Sequence, residues 1–83
     1  MKAESGRLGA LSVGVRLKLS RDKRSLTMQE LANRAGIGTS TINSIEKGIK
    51  QPRGDTVERL ARALEVPRCW LAYGDGTPPS WEN

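Results

Sequence analysis

Apolar positions recur along this chain in short blocks with helical spacing, and each block is bounded by residues that start or stop a helix. Val57, Leu60, Ala61 and Leu64 follow i, i+3, i+4, i+7, the pattern of an amphipathic helix beginning near Asp55. Leu31, Ala32 and Ala35 form a shorter stripe. Before it, Thr27 and Glu30 have capping-box spacing, in which hydroxyl and carboxylate each satisfy an orphan backbone donor. After it, Gly36 suits a left-handed stop. Ser12 is placed to cap a helix over residues 13 to about 24, with Val13 and Leu17 inward and Arg21 at the next turn. Ile42 and Ile45 mark the inner side of a helix over residues 39 to about 47, between Gly38 and Gly48. Pro52 keeps "IKQPRG" a loop, and Pro67 at a first helical position opens "PRCWLAY", closed by Gly74. The pattern predicts an all-α domain of five helices over residues 12–74. An extension over residues 1–11 precedes it, and a flexible tail or linker start over residues 75–83 follows.

The third helix is the odd one. Its outer positions carry Thr39, Ser40, Thr41, Asn43 and Ser44 where a merely solvated helix would carry Lys and Glu. Only "GIG" separates it from the second helix. Two short helices joined by a glycine-containing turn have the spacing of a DNA-binding helix-turn-helix, although an αα-corner in any helical domain has it too.

At 83 residues the chain is one small domain, able to bury about 60–65% of its unfolded surface. Fourteen Lys and Arg against nine Asp and Glu give +5, and Arg16, Lys18, Arg21, Lys23 and Arg24 fall within nine residues. Such a balance favours phosphate-bearing partners, or only solubility. The single cysteine, Cys69, excludes an internal disulfide. With no histidine either, the commonest zinc ligands and acid–base catalysts are missing. No nucleophile–base pair is visible, so the expectation is a protein that is not an enzyme and uses no metal or cofactor. No apolar run reaches the roughly 18 residues of a membrane span, and "MKAESGRLGALSVG" lacks a signal-peptide core. A cytoplasmic protein is expected.

Three blocks bring these features together: "LT..ELA...G", "I..IE.G" and "LA.AL.V...WL..G". With them "LTMQELANRAGIGTSTINSIEKG" resembles the Cro and lambda-repressor family of helix-turn-helix regulators, often called XRE-type, over about four-fifths of the chain. The resemblance implies a five-helix orthogonal bundle in which helix two crosses the phosphate backbone and helix three lies in the major groove. It places Gly38, Thr39, Ser40 and Ser44 at base-contacting positions, Ile42 and Ile45 inward, and Thr41 and Asn43 on the flanks. Short hydroxyl side chains permit close approach and bond to donors or acceptors, and the Thr methyl suits a thymine methyl. Without a bidentate Arg–guanine or Gln–adenine pair, direct readout is expected to be moderate, supplemented by water and DNA shape. A plain solvated hydroxyl face is the alternative.

By the same resemblance, Met28, Lys47, Lys50 and Arg53 fall at phosphate-contacting positions, with Gln51 nearby. Met28 replaces a frequent glutamine, so a contact there must come from backbone N–H groups; Gln29 is expected to point elsewhere. The three cations also serve as ordinary solubilising charge. Arg21 and Glu46 occupy positions of a structural ion pair tying helix one to the end of helix three. Glu65 stands where the family usually has glycine, which implies a strained or differently shaped turn, and Pro67 replaces the usual Ser/Thr cap. Cys69 reads as a small filler beside Trp70 rather than a reactive thiol, and Trp70 as a core plug rather than a recognition aromatic.

The function implied is a sequence-specific transcriptional regulator, a repressor binding a palindromic double-stranded operator as a homodimer. The alternatives are a protein-docking module, such as the antitoxin of a toxin–antitoxin pair, or the N-terminal piece of a longer phage-type repressor. A toxin or polymerase would be the protein partner. Two dimer surfaces compete. One is the fifth helix with Leu71 and Tyr73, which the family more often uses. The other is a second stripe on helix one, Leu8, Leu11, Val15 and Leu19, nearly opposite Val13 and Leu17.

Overall fold

Five helices form in the expected order in the computed structural model, which describes residues 12–81. They are α1 (Val13–Lys23), α2 (Met28–Ala35), α3 (Thr39–Glu46), α4 (Gly54–Leu64) and α5 (Arg68–Tyr73). The caps explain the boundaries. Ser12 Oγ accepts from the Val15 N–H at 3.3 Å. At α2 both halves of the capping box close: Glu30 N–H donates to Thr27 Oγ1 at 3.0 Å, and Thr27 N–H to Glu30 Oε1 at 2.8 Å. Gly36 ends α2 at φ 72°, a left-handed conformation in which a Cβ is strained. Pro67 proves to be the cap before α5 rather than its first residue, since its ψ of 138° is extended.

The core gathers Leu17, Leu31, Ile42, Ile45, Leu60, Leu64, Trp70 and Leu71, all almost wholly removed from water. Each large side chain so buried stabilises by about 1.5–3 kcal/mol. The inner side of α1 is different, because Arg16, Ser20 and Arg21 are buried beside Leu17. Arg16 donates from Nε to the Leu71 carbonyl at 2.9 Å and from Nη2 to the Ala72 carbonyl at 3.0 Å. Its guanidinium thereby satisfies acceptors that the end of α5 leaves open. Gly14 is also buried, with α1 packed so closely that a Cβ there would overlap the Ile45 carbonyl oxygen and lie 3.0 Å from that of Glu46.

Several expectations are corrected. Leu71 is 1% exposed and belongs to the core, so it offers nothing to a partner. A helix of six residues is too short to display its inner face by periodicity alone. Cys69 is exposed, not a filler, because the adjacent Trp70 takes the inward position. The stretch after Gly74 lies on the domain up to Trp81 rather than hanging free. Pro79 is buried, and Trp81 meets Trp70 edge-on with centroids 5.7 Å apart, Lys23 Nζ lying 5.8 Å from its ring. At Glu65 the expectation of a strained turn holds, because it takes at φ 58° the left-handed conformation that glycine usually supplies. Arg24 closes over it, from Nε to the Leu64 carbonyl at 3.0 Å and from Nη2 to Glu65 Oε1 at 3.1 Å. Among the described residues no helix is long and apolar enough to cross a membrane, and no group of His, Cys, Asp and Glu could hold a metal ion.

Candidate nucleic-acid interface

The position of α3 is set from both ends. At its start, the Gly36 and Ile37 N–H groups both donate to the Ala32 carbonyl, at 2.9 and 3.1 Å. Arg59 of α4 braces the same turn by donating from Nη1 to the Gly36 carbonyl at 3.2 Å. At its far end, Arg21 Nε and Nη2 donate to Glu46 Oε2 and Oε1 at 2.8 and 3.2 Å, and Arg21 Nη1 donates to the Leu26 carbonyl at 2.8 Å. The side chains of Arg21 and Glu46 are only 11% and 4% exposed, so this fork joins α1, the α1–α2 turn and α3 out of reach of salt. The hydrogen bond to Glu46 raises the Arg21 pKa, with burial opposing it.

Between these anchors, Ile42 and Ile45 are fully sealed in the core. The outer side presents Ser40, exposed, with Thr39, Thr41, Asn43 and Ser44 half-buried beside it. Gly38 caps α3 without a side chain. A Cβ at Gly38 would meet only Ser40 Oγ and Thr41 Oγ1, each at 3.9 Å, so packing does not require glycine there. Its absence of side chain instead leaves the start of α3 open to close approach.

One arrangement was not legible in the sequence. Thr39 Oγ1 donates to Gln29 Oε1 at 3.1 Å, and Gln29 Nε2 donates to Asn33 Oδ1 at 3.1 Å. Gln29, not expected to replace Met28 at the phosphate-contacting position, sits against the start of α3 and links it to α2. The four-residue spacing of Gln29 and Asn33 was the only available signal.

The cations singled out in the sequence divide into two groups. Lys47, Lys50 and Arg53 are exposed at the end of α3 and in the following loop, with the Arg53 side chain 85% exposed and 3.9 Å from Asp55. Ile49 stands among them, 76% exposed. Met28 is half-buried against the core and presents no side-chain donor. The basic cluster of α1 is engaged within the chain: Arg16, Arg21 and Arg24 as described, Lys18 with Asp22 at 3.4 Å, and Lys23 over Trp81. Charge density along the sequence therefore overstates any basic patch on α1. Of the dimer candidates, Tyr73 is 73% exposed, Val15 38% exposed and Leu19 half-buried, while Leu8 and Leu11 lie outside the described residues.

The helix-turn-helix family pattern matches residues 17–71, and the chain belongs to that family. It is 43% identical over 57 residues to the cryptic phage CTXphi transcriptional repressor RstR of Vibrio cholerae, covering 69% of this chain and 51% of that one. It is 36% identical over 66 residues to the transcriptional repressor RghR of Bacillus subtilis, covering 78% and 49%. The chain thus spans about half the length of the curated relatives it matches. Its fold is similar to that of SinR, the master regulator for biofilm formation, in complex with DNA, with a TM-score of 0.69 and 30% identity over 71% of this chain and 95% of that one.

Proposed function

We propose that this chain is a sequence-specific DNA-binding transcriptional regulator, a repressor that occupies a palindromic operator as a dimer. Its activity is binding rather than catalysis, and it acts in the cytoplasm. The carrying observation is the division of α3: an isoleucine side sealed in the core, a hydroxyl side turned outward, and both ends braced by buried or shared guanidinium contacts. A surface held this rigidly suits reading a partner by hydrogen bonds, because little ordering remains to be done on binding. Gly38, Thr39, Ser40 and Ser44 contact base edges in the major groove. Lys47, Lys50 and Arg53 contact phosphates, and at Met28 backbone N–H groups at the start of α2 do so. The naming of two relatives as transcriptional repressors supports the same reading.

Selection from a randomised duplex library at two salt concentrations tests it. Wild type should enrich a two-fold symmetric sequence and bind less tightly as salt rises. Arg53→Ala should weaken binding to all sequences alike and flatten the salt slope by about one. Ser40→Ala should instead alter base preference at one or two positions. Indifference of the wild type to both sequence and salt would overturn the proposal.

A further inference from the structure

The contact between Thr39 and Gln29 has a chemical consequence for readout. A free Thr hydroxyl rotates, so it donates to an acceptor or accepts from a donor with equal ease and discriminates weakly. Here the Thr39 hydroxyl proton is directed to Gln29 Oε1 at 3.1 Å. The Gln29 carboxamide is itself oriented, because its Nε2 donates to Asn33 Oδ1 one turn further along α2. While that bond holds, the proton is engaged by Gln29, and Thr39 has only its oxygen lone pairs left to offer a partner.

We infer that Gln29 is a specificity-positioning residue that makes Thr39 an acceptor-only reader, selecting an amino base over a keto base at one operator position. This rests on the base-contact reading of Thr39 proposed above. In the major groove adenine offers its N6 amino group and cytosine its N4, whereas guanine and thymine offer the carbonyl oxygens O6 and O4. Every base pair contains one amino group, but the strand that carries it decides where in the groove it lies. An oxygen held at one place, with no proton to give, bonds to adenine or cytosine on the strand it faces and is repelled by guanine or thymine there. Discrimination worth one neutral hydrogen bond corresponds to about 2- to 10-fold.

Four proteins tested by library selection decide the matter, with circular dichroism checking that each is folded: wild type, Thr39→Val, Gln29→Leu and Gln29→Glu. Thr39→Val keeps the shape and loses the oxygen, and identifies the position that Thr39 reads. Wild type should prefer adenine or cytosine there. Gln29→Leu frees the hydroxyl and should flatten that preference, at that position only, by about 2- to 10-fold. Gln29→Glu keeps an acceptor for the Thr39 proton and should preserve the preference even if its added negative charge weakens binding to all sequences. A mere structural role for Gln29 would not produce this split between Leu and Glu. If Thr39→Val leaves every position unchanged, the base-contact reading of Thr39 fails and this inference with it. If Thr39→Val alters one position but Gln29→Leu does not flatten it, or wild type prefers guanine or thymine there, the inference alone is overturned.

Discussion

Gly14 of α1 lies against the carbonyl oxygen of Ile45 near the end of α3, at a separation that excludes any side chain on Gly14. The two helices meet through backbone, so the distance between them is set by the absence of a Cβ. That contact lies two turns before the Arg21–Glu46 fork on α1 and beside it on α3. The same pair of helices is therefore fixed by shape at one point and by charge at the next.

Gly14→Ala should accordingly destabilise the domain, although alanine is the better helix former. Overpacking against backbone costs about 1–3 kcal/mol, and the gain in helix propensity returns about 0.5–1. A lower denaturant midpoint with an unchanged slope is expected. A midpoint equal to or above wild type would mean that α1 and α3 separate freely and that their spacing is not fixed here.

Removing one half of the Arg21–Glu46 fork leaves a charge in a place where water cannot reach it. Glu46→Ala or Arg21→Ala should each lower stability by about 3–5 kcal/mol, whereas Arg21→Met with Glu46→Leu together should recover much of the loss. The raised Arg21 pKa means that its contribution is complete at every pH below the ordinary guanidinium range and is lost only as pH rises through the folded value. No alkaline loss from Arg21 should appear in urea melts between pH 6 and about pH 9. Additive single and double mutants would show that the two side chains are not coupled.

Glu65 occupies a left-handed conformation at φ 58° without the freedom of glycine. Its ion pair with Arg24 is exposed and contributes little. Glu65→Gly should therefore raise stability by about 0.5–1 kcal/mol, and Glu65→Val, with a branched Cβ in the same conformation, should lower it. Thermal melts of the two variants beside wild type provide the check. A fall for Glu65→Gly would place the stabilising role in the Arg24 contact instead.

These sites mark the boundary of what the sequence made legible. Caps and stripes are local, so Thr27 with Glu30, and Val57 through Leu64, announce their helices without knowledge of the rest of the fold. The Arg21–Glu46 positions came only from resemblance, since nothing local pairs residues 25 apart. Gly14 and Arg16 were missed for a related reason. One is defined by the backbone of another helix and the other by carbonyls at the far end of the chain. An arginine within a basic run looks solvated until the helix end that needs its donors is in place. Cys69 and Leu71 were misplaced because one and a half turns of α5 do not reveal which side faces inward. Thr39 was read for its residue type, but its hydrogen-bonding polarity belongs to Gln29.

The last expectation concerns the dimer. With Leu71 in the core, the described residues of the α5 surface retain Tyr73, and those of the α1 surface retain a modestly exposed Val15 and a half-buried Leu19. An exposed aromatic ring gives more area on association than a valine that is largely covered already. Tyr73→Lys should therefore sediment as a monomer under conditions where wild type and Val15→Lys/Leu19→Lys are dimers. The consequence for DNA follows from linkage of two half-sites: a dimer binds the second half-site at the effective concentration set by the first. Tyr73→Lys should lose affinity for a full palindrome by at least about tenfold while binding an isolated half-site as wild type does. Leu71 is unsuitable for this comparison, because a lysine there would unfold the domain. If Tyr73→Lys still dimerises and the α1 variant does not, the second stripe of helix one is the interface. If both variants dimerise as wild type does, the two-fold contact lies on neither surface.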